Sequence, residues 1–496
     1  QEWPSDFLSG TVLNLYYANT LLTYAHSYSW EIRKREKVDS KDPLDLKAWT
    51  LEQILTEAQN ALHKVWTNRE QLGKYPAAYL TEYITPNNFP VHIRPTLRDA
   101  LSYLRVESMG NSADWSPEHS NGIYRLDVAS LLDNSKSRMW DEVSLTNPDI
   151  HPLLKISFIL RDLELWHADN DEVEAALEAR LTRMRTLHSH FTNNSDRETV
   201  KTDLRKQLDR VKDFDWWSMG MAQLAEFILT ESVPDALIRA RNIVELGYKK
   251  KPESIGSQKC LHIMKSIESL DFSLTGMICD GAGKRSIQIT HKNMDKLYFR
   301  AYTVDILDKI AKTKDYSLYP DYREIEILLA SGTPTHTWSS NIPATPDYRA
   351  HATYVTPPMT KSSLYVVLAS AREDFAKKDN KVVGINTVVS DLVLTIRQGG
   401  GKLEVTVLSG ATGDGVSNAE VLLYRYDWQK GHTLKSTKRT DETGMVVFST
   451  PPTNNSYFLV AKKNREITWD TSYINFYPQG QPGETTSAFI FTDRSI

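Results

Sequence analysis

Apolar residues recur at helical spacing up to about residue 269, as in Leu177, Leu181, Met184 and Leu187, and again in Leu204, Leu208 and Val211. Thr182, Arg183, Arg185, Lys206 and Arg210 fall on the other faces, which the pattern assigns to the surface of packed helices. From Asp271 onward the period shortens to that of strands, in Ser286–Thr290, Leu297–Tyr302 and Leu364–Ala369. Helices followed by strands, without βαβ alternation, predict separate domains and argue against a doubly wound parallel sheet. The expected fold is therefore α then β, a helical part followed by two immunoglobulin-like β-sandwiches.

Within the helical part, Ala236–Ile267 reads as two helices separated by a break at Gly247-Tyr248-Lys249-Lys250-Lys251-Pro252. Small residues at close-packing points and a proline at the turn make this pair similar to a tetratricopeptide-like hairpin, with Val173–Phe191 and Thr199–Phe214 as neighbours. Thr96 is placed to cap a helix, with Asp99 at its third position. In the β part, 402–408 and 419–424 read as strands flanking a Gly-rich turn at 409–418, and Thr440–Gly444 as a further turn before the strand 445–448. The expected segments are an N-terminal helical region 1–135, a helical-hairpin region 136–269, a first sandwich 270–392 and a second sandwich 393–496.

A chain of 496 residues is too long for one hydrophobic core, and ordinary domain sizes give roughly three to four domains. The 40% hydrophobic and 25% charged content, with 12 Trp and 23 Tyr, is that of folded protein throughout. Formal net charge is −4 and the basic residues form no block, so the electrostatic footprint of a nucleic-acid binder is missing. No apolar run is long enough for a membrane-spanning helix. Gln1 in place of an initiator Met fits either a mature form after signal-peptide removal or a trimmed chain. Two cysteines, Cys260 and Cys279, are too few for a disulfide-stapled fold, and whether they pair is left open by the sequence.

Four motifs stand in order in the last part of the chain. They are Val389-Ser390-Asp391-Leu392, then Thr412, Gly413, Val416, Ala419, Val421, Leu423 and Tyr424, then Thr440, Asp441 and Gly444, and finally Phe491-Thr492-Asp493-Arg494. This order resembles a macroglobulin domain of the α2-macroglobulin family, followed by the strand F-T-D-R-x-x-Y-R-P-G that opens the next domain. The segment Arg94-Pro95-Thr96-Leu97-Arg98-Asp99-Ala100-Leu101 is similar to N-terminal regions of bacterial members, particularly those of the Bacteroidetes type. The resemblance implies two macroglobulin-type sandwiches, with 489–496 leading into a further domain, and a role as the N-terminal scaffold of a bait-and-trap protease inhibitor of the cell envelope. It also implies an exported protein, periplasmic or envelope-bound and in some relatives lipid-anchored, whose partners are target proteases met through the full-length protein. The glycines at 413 and 444 are expected in turns at positive φ, Asp441 in bonds to its own turn's amides, and Val421 with Leu423 in the core.

The family's thioester joins a Cys to a Gln three positions later in C-x-E-Q. Cys260 is followed by Leu261, His262 and Ile263, and Cys279 by Asp280, Gly281 and Ala282, so neither supplies it. Gly281-Ala282-Gly283-Lys284-Arg285-Ser286 resembles a phosphate loop only superficially, because Ile278 stands where the first Gly belongs and a strand follows in place of a helix. It reads as a hairpin turn. His188 and His190, with His167 upstream, suggest a metal only weakly, since helical positions two apart face different ways. Trp216 and Trp217 fit inter-helix packing better than a sugar platform. No H-E-x-x-H, C-x-x-C or G-x-S-x-G occurs. The expected site is thus empty of catalytic, cofactor-binding and metal residues, and the chain is expected not to be an enzyme. Two other classes remain: a helical-repeat plus β-sandwich module at the cell surface, binding a protein partner through a groove of exposed aromatics, and a carbohydrate-active enzyme, which needs paired carboxylates about 5 to 9 Å apart.

Overall fold

A computed structural model of the chain describes residues 3–36, 45–85, 87–135, 140, 143–276, 279–280, 286–399, 402–449, 456–470 and 472–475. The F-T-D-R motif at 491–494 and the turn at 281–285 lie outside the described residues. The chain divides into two compact units, Gln1–Ile267 and Glu268–Ile496. The first is helical and the second is built mainly of antiparallel sheets.

The longer helices of the first unit are α1 (Phe7–Ser27), α2 (Leu51–Trp66), α3 (Leu97–Met109), α4 (Pro152–Asp169), α5 (Val173–His190), α6 (Asn194–Arg210), α7 (Trp217–Leu229), α8 (Ala236–Lys250) and α9 (Ile255–Glu268). Thr96 and Asp99 form the expected capping box at the start of α3, and Thr50 with Gln53 forms another at α2. Because α3 lies against both α2 and α4, it is buried nearly all round, including Arg98, Asp99, Ser102 and Arg105. The predicted face of α5 is internal, with Leu181, Met184 and Leu187 fully buried, and Leu204 and Leu208 anchor α6.

Two details depart from the sequence reading. Arg183 is fully buried rather than on the surface, because α5 is packed on several sides and Glu164 and Asn134 accept its N–H groups. The break between α8 and α9 starts at Lys251, and Gly247 stays helical. Its role is close approach: a Cβ there would fall 2.7 Å from Cys260 Sγ and 3.0 Å from Met221 Cβ. Ser257 Oγ donates to Gly247 O at 2.9 Å and Ser218 Oγ to the same carbonyl at 3.1 Å, so small residues bring three helices together.

The second unit contains two sandwiches. In the first, β1 (Asp271–Gly276), β3 (Ile287–Lys292) and β6 (His351–Val355) form one sheet in the order β1-β3-β6. The other sheet runs β2 (Cys279–Asp280), β8 (Val382–Val389), β7 (Ser363–Ser370), β4 (Lys296–Val304) and β5 (His336–Asn341). Phe272, Ile287, Ile289, Phe299, Val367 and Val389 fill the space between them. In the second sandwich, β13 (Met445–Ser449), β10 (Lys402–Ser409) and β9 (Leu392–Gly399) face β12 (Gly431–Arg439), β11 (Glu420–Asp427), β14 (Ser456–Lys463) and β15 (Glu466–Trp469), with β16 (Ile474–Asn475) beside β14. Leu403, Val405, Val421, Leu423, Phe448 and Leu459 make this core.

The region read as wholly β also contains α10 (Ile306–Lys312) and α11 (Tyr322–Ser331), inserted between β4 and β5. Asp305 caps the first, and Asp321 with Glu324 makes a capping box at the second. The run 364–369 does not alternate, since all six residues are buried. Its inner residues Tyr365, Val367 and Ala369 enter the first sandwich core. On the outer face, Val366 and Leu368 lie under Ile325 and Leu328 of α11, and Leu364 joins Leu422, Phe458 and Val460 of the second sandwich.

Candidate functional site

Several of the 389–444 residues that carry the family resemblance meet at one end of the second sandwich. Asp391, between β8 and β9, accepts from Ser409 Oγ at 2.7 Å and from the Ala411 amide at 2.9 Å, while its carbonyl accepts from the Gly410 amide at 2.6 Å. Its own amide donates to Glu466 at 2.8 Å. The turn so held passes Gly413 at φ +78° and reaches Gly415, where a Cβ would stand 2.0 Å from Thr443 O. Thr440 Oγ1 accepts from the Ala419 amide at 2.8 Å and donates to Val416 O at 2.6 Å. Asp441 accepts from the Thr443 and Met445 amides, each at 2.9 Å, and from the Thr443 hydroxyl at 2.7 Å. Those bonds, the hydroxyl's first, hold its carboxyl below the usual range. Gly444 sits at φ +79°, and Val421 and Leu423 are buried as expected. The motif is a clasp of two turns, and its polar groups act on neighbouring backbone.

The helical unit holds a denser ionic array. His167 is fully buried, bonded through Nε2 to Asp99 at 2.8 Å and through Nδ1 to Glu172 at 2.6 Å. Burial pushes the imidazole pKa down, but the two carboxylates outweigh it and the net shift is upward. Thr96 Oγ1 donates to Asp99 at 2.7 Å. In a nucleophilic triad the imidazole touches the hydroxyl, whereas here the carboxylate stands between them, so His167 has no path to the Thr96 proton. Asp99 is a helix cap and an ion-pair partner.

Arg98, fully buried, donates to Glu70 at 2.8 Å and to Asp162 at 2.6 Å, and Arg69 meets Asp162 at 3.0 Å. Arg183 donates to Glu164 at 2.6 Å, and Arg180 bridges Glu164 at 3.1 Å and Asp203. These bonds tie α3 to α4, α4 to α5 and α5 to α6. Sequence reasoning missed them because the partners lie far apart along the chain.

The other histidines have separate surroundings. His188 stacks on Phe227 with ring centroids 4.0 Å apart, and burial lowers its pKa to about 4. His190 stacks on Trp115 at 4.8 Å and bonds to Thr186 O and Gly110 O. With His167 held by carboxylates, the three do not converge. Trp216 is buried with Nε1 donating to Glu178 at 2.9 Å, and Trp217 is buried beneath the Lys250 ammonium. Neither indole face is open as a sugar platform. Cys260 is a free thiol whose Sγ donates to Ser218 O at 3.3 Å, and burial raises its pKa to about 12.

Cavities open among the described residues of the helical unit. One of about 900 Å³ is lined by polar residues including Asn134, Ser195, Thr199 and Asp203. A groove of about 500 Å³ is apolar, formed by Leu15, Tyr16, Leu22, Tyr83 and Leu104. A third, of about 800 Å³, includes Leu55, Trp115, His151 and Lys155.

No family model matches the chain, and no curated protein does. Two solved fragments of native alpha-2-macroglobulin from Escherichia coli are similar to it. The one spanning domains MG0-NIE-MG1 has 14% identity and a TM-score of 0.30, over 38% of this chain and 62% of that one. The one spanning NIE-MG1 has 14% identity and a TM-score of 0.29, over 40% of this chain and 98% of that one. The chain thus spans less than two thirds of the first of these structures, and likeness at this level assigns no family.

Proposed function

We propose that the chain is the N-terminal scaffold segment of a bacterial α2-macroglobulin-like protease inhibitor, exported to the periplasm or cell envelope. Its partners are proteases engaged by the full-length protein. The observation that carries this reading is the motif order of 389–444. Asp391, Gly413, Val416, Thr440, Asp441 and Gly444 meet in one clasp of the second sandwich, and Ala419, Val421 and Leu423 lie in its core. Under this reading the two sandwiches are macroglobulin domains and α8 with α9 is a tetratricopeptide-like hairpin. The segment is catalytically inert and itself carries no thioester or bait.

A trap encloses a protease without blocking its active site. The test is to express the chain together with its downstream coding sequence and incubate the product with trypsin. Cleavage of a large protein substrate should fall while cleavage of a small peptide persists. Unchanged cleavage of both, or a downstream frame that lacks Tyr-Arg-Pro-Gly, would count against the inhibitor.

A second reading is supported by the apolar groove of the helical unit. Tyr16, Tyr83 and Leu104 line it and are 48%, 52% and 40% exposed, more than a groove sealed by its own chain would leave. A protein partner inserting apolar side chains there would make the unit a binding module.

A further inference from the structure

The apolar groove of the helical unit follows one face of α1, on which Val12, Leu15, Asn19, Leu22 and His26 recur every three or four residues. Tyr83 and, on α3, Leu104 make the facing wall. Tyr16 Oη donates to Tyr83 O at 3.3 Å and ties the two walls together.

The charge of the groove lies toward the C-terminal ends of α1 and α3, where its ionic lining residues, His26 and Glu107, stand. His26 is engaged by Asp114 at 3.1 Å, and Asp114 also faces Arg33 at 3.5 Å. Glu107 has neither an ion pair nor a side-chain hydrogen bond among the described residues. Arg105, two positions back, falls on a different face of α3 and is fully buried. Glu107 is also in the last turn of α3, which holds no basic residue. A helix C-terminus carries partial negative charge, so a carboxylate there is unfavourable and a cation is favoured. The groove thus has an apolar length and one uncompensated negative end.

We infer that the groove takes a segment of a partner protein in which a lysine or arginine directly follows two apolar residues, the apolar pair lying on Tyr16, Leu22 and Leu104 and the cation meeting Glu107. The inference rests on the binding-module reading and names the chemistry of that partner. Leu104 and Glu107 are one turn apart, about 5 Å along α3, so the apolar and basic residues of the partner must be neighbours. The stem of a lysine lies on apolar surface while its ammonium stays at the wet rim. Apolar walls alone would favour an uncharged side chain over lysine, and Glu107 reverses that order.

The test is calorimetric titration of the full chain with the peptide acetyl-Phe-Leu-Lys-amide, set against acetyl-Phe-Leu-norleucine-amide, which keeps the stem and lacks the charge. At about 0.05 M salt the lysine peptide should bind one to one and about fivefold more tightly than its norleucine counterpart, and about 0.5 M salt should shrink that difference. Glu107→Gln should abolish the preference by weakening the lysine peptide alone. Leu104→Ser, at an exposed position, should weaken both peptides by about tenfold. Norleucine binding as tightly as lysine, or a preference that survives Glu107→Gln, would overturn the inference and leave the binding module standing. Failure of both peptides to bind at about 10 mM would overturn the inference and the binding module together.

Discussion

Histidine protonation pulls the helical unit in two directions. His188 and His151, 5% and 6% exposed, have pKa values pushed down to about 4, chiefly by burial. Each binds its proton more readily unfolded than folded, so the stability it contributes is present above about pH 6.5 and is lost as pH falls toward 4. At 1.36 kcal/mol per unit, the loss is at most about 3 kcal/mol per residue. His167 has the opposite sign: its raised pKa contributes stability that is full below about pH 6.5 and fades as pH rises through the folded value. Replacing His188 with Phe, which preserves the stack on Phe227, should flatten the fall in urea midpoint between pH 6.5 and 4 relative to wild type. Parallel pH curves for the two proteins would refute the assignment. None of this was legible beforehand. His188 has Phe227 beneath it and His167 has Asp99, partners set by the fold and far away in sequence, and the same holds for Glu164, which draws Arg183 into the interior.

The elements themselves were far more legible, because period and caps are local. The capping box at Thr96, the hairpin of α8 and α9 and the strands around 402–424 follow from spacing alone. What spacing hid was contact between elements. In α9, a Cβ on Gly256 would lie 2.2 Å from the Met219 amide nitrogen and 2.7 Å from the Ser218 carbonyl carbon, both backbone atoms of α7. At Gly220 the obstacle is Leu208 Cδ2 at 2.4 Å, the far end of a side chain that can turn away. Alanine gains about 1 kcal/mol over glycine within a helix, while overpacking costs about 1 to 3 kcal/mol or more. Gly220→Ala should therefore be near neutral, and Gly256→Ala should lose about 3 kcal/mol because the α7 backbone has to shift. Urea unfolding of the two variants, followed by tryptophan fluorescence, checks the difference, and equal midpoints would show that α9 is free to slide. The inserted helices α10 and α11 also bear local signals, Asp305 and the Asp321–Glu324 box, which the surrounding strand-like runs outweighed.

At the scale of the whole chain, the continuous apolar runs carry the most information. A strand with one wet face alternates, whereas one covered on both faces does not. Residues 364–369 and 457–461 are buried without a break, so each sheet must be covered on its outer side as well. The structure supplies the cover: Leu364 and Val388 of the first sandwich, Ile306, Ile310 and Leu318 of the insertion, and Leu422, Phe458, Val460 and Trp469 of the second sandwich form one cluster. The two sandwiches are therefore coupled, and damage to the shared cluster should be felt in both. Phe458, 1% exposed and stacked 5.1 Å from Tyr424, is the test position. Phe458→Ala should cost about 3 to 5 kcal/mol. Because Phe458 is on β14 but packs in a cluster reaching β7 and β8, hydrogen exchange should rise in β7 and β8 of the first sandwich as well as in β11 and β14. Leu459→Ala gives the control, since that neighbour points into the second core alone and its effect should stay in the second sandwich. Exchange that rises only in β11 and β14 in both variants would mean that the sandwiches open independently. Exchange that spreads to β7 and β8 only for Phe458→Ala would establish the pair as one cooperative unit.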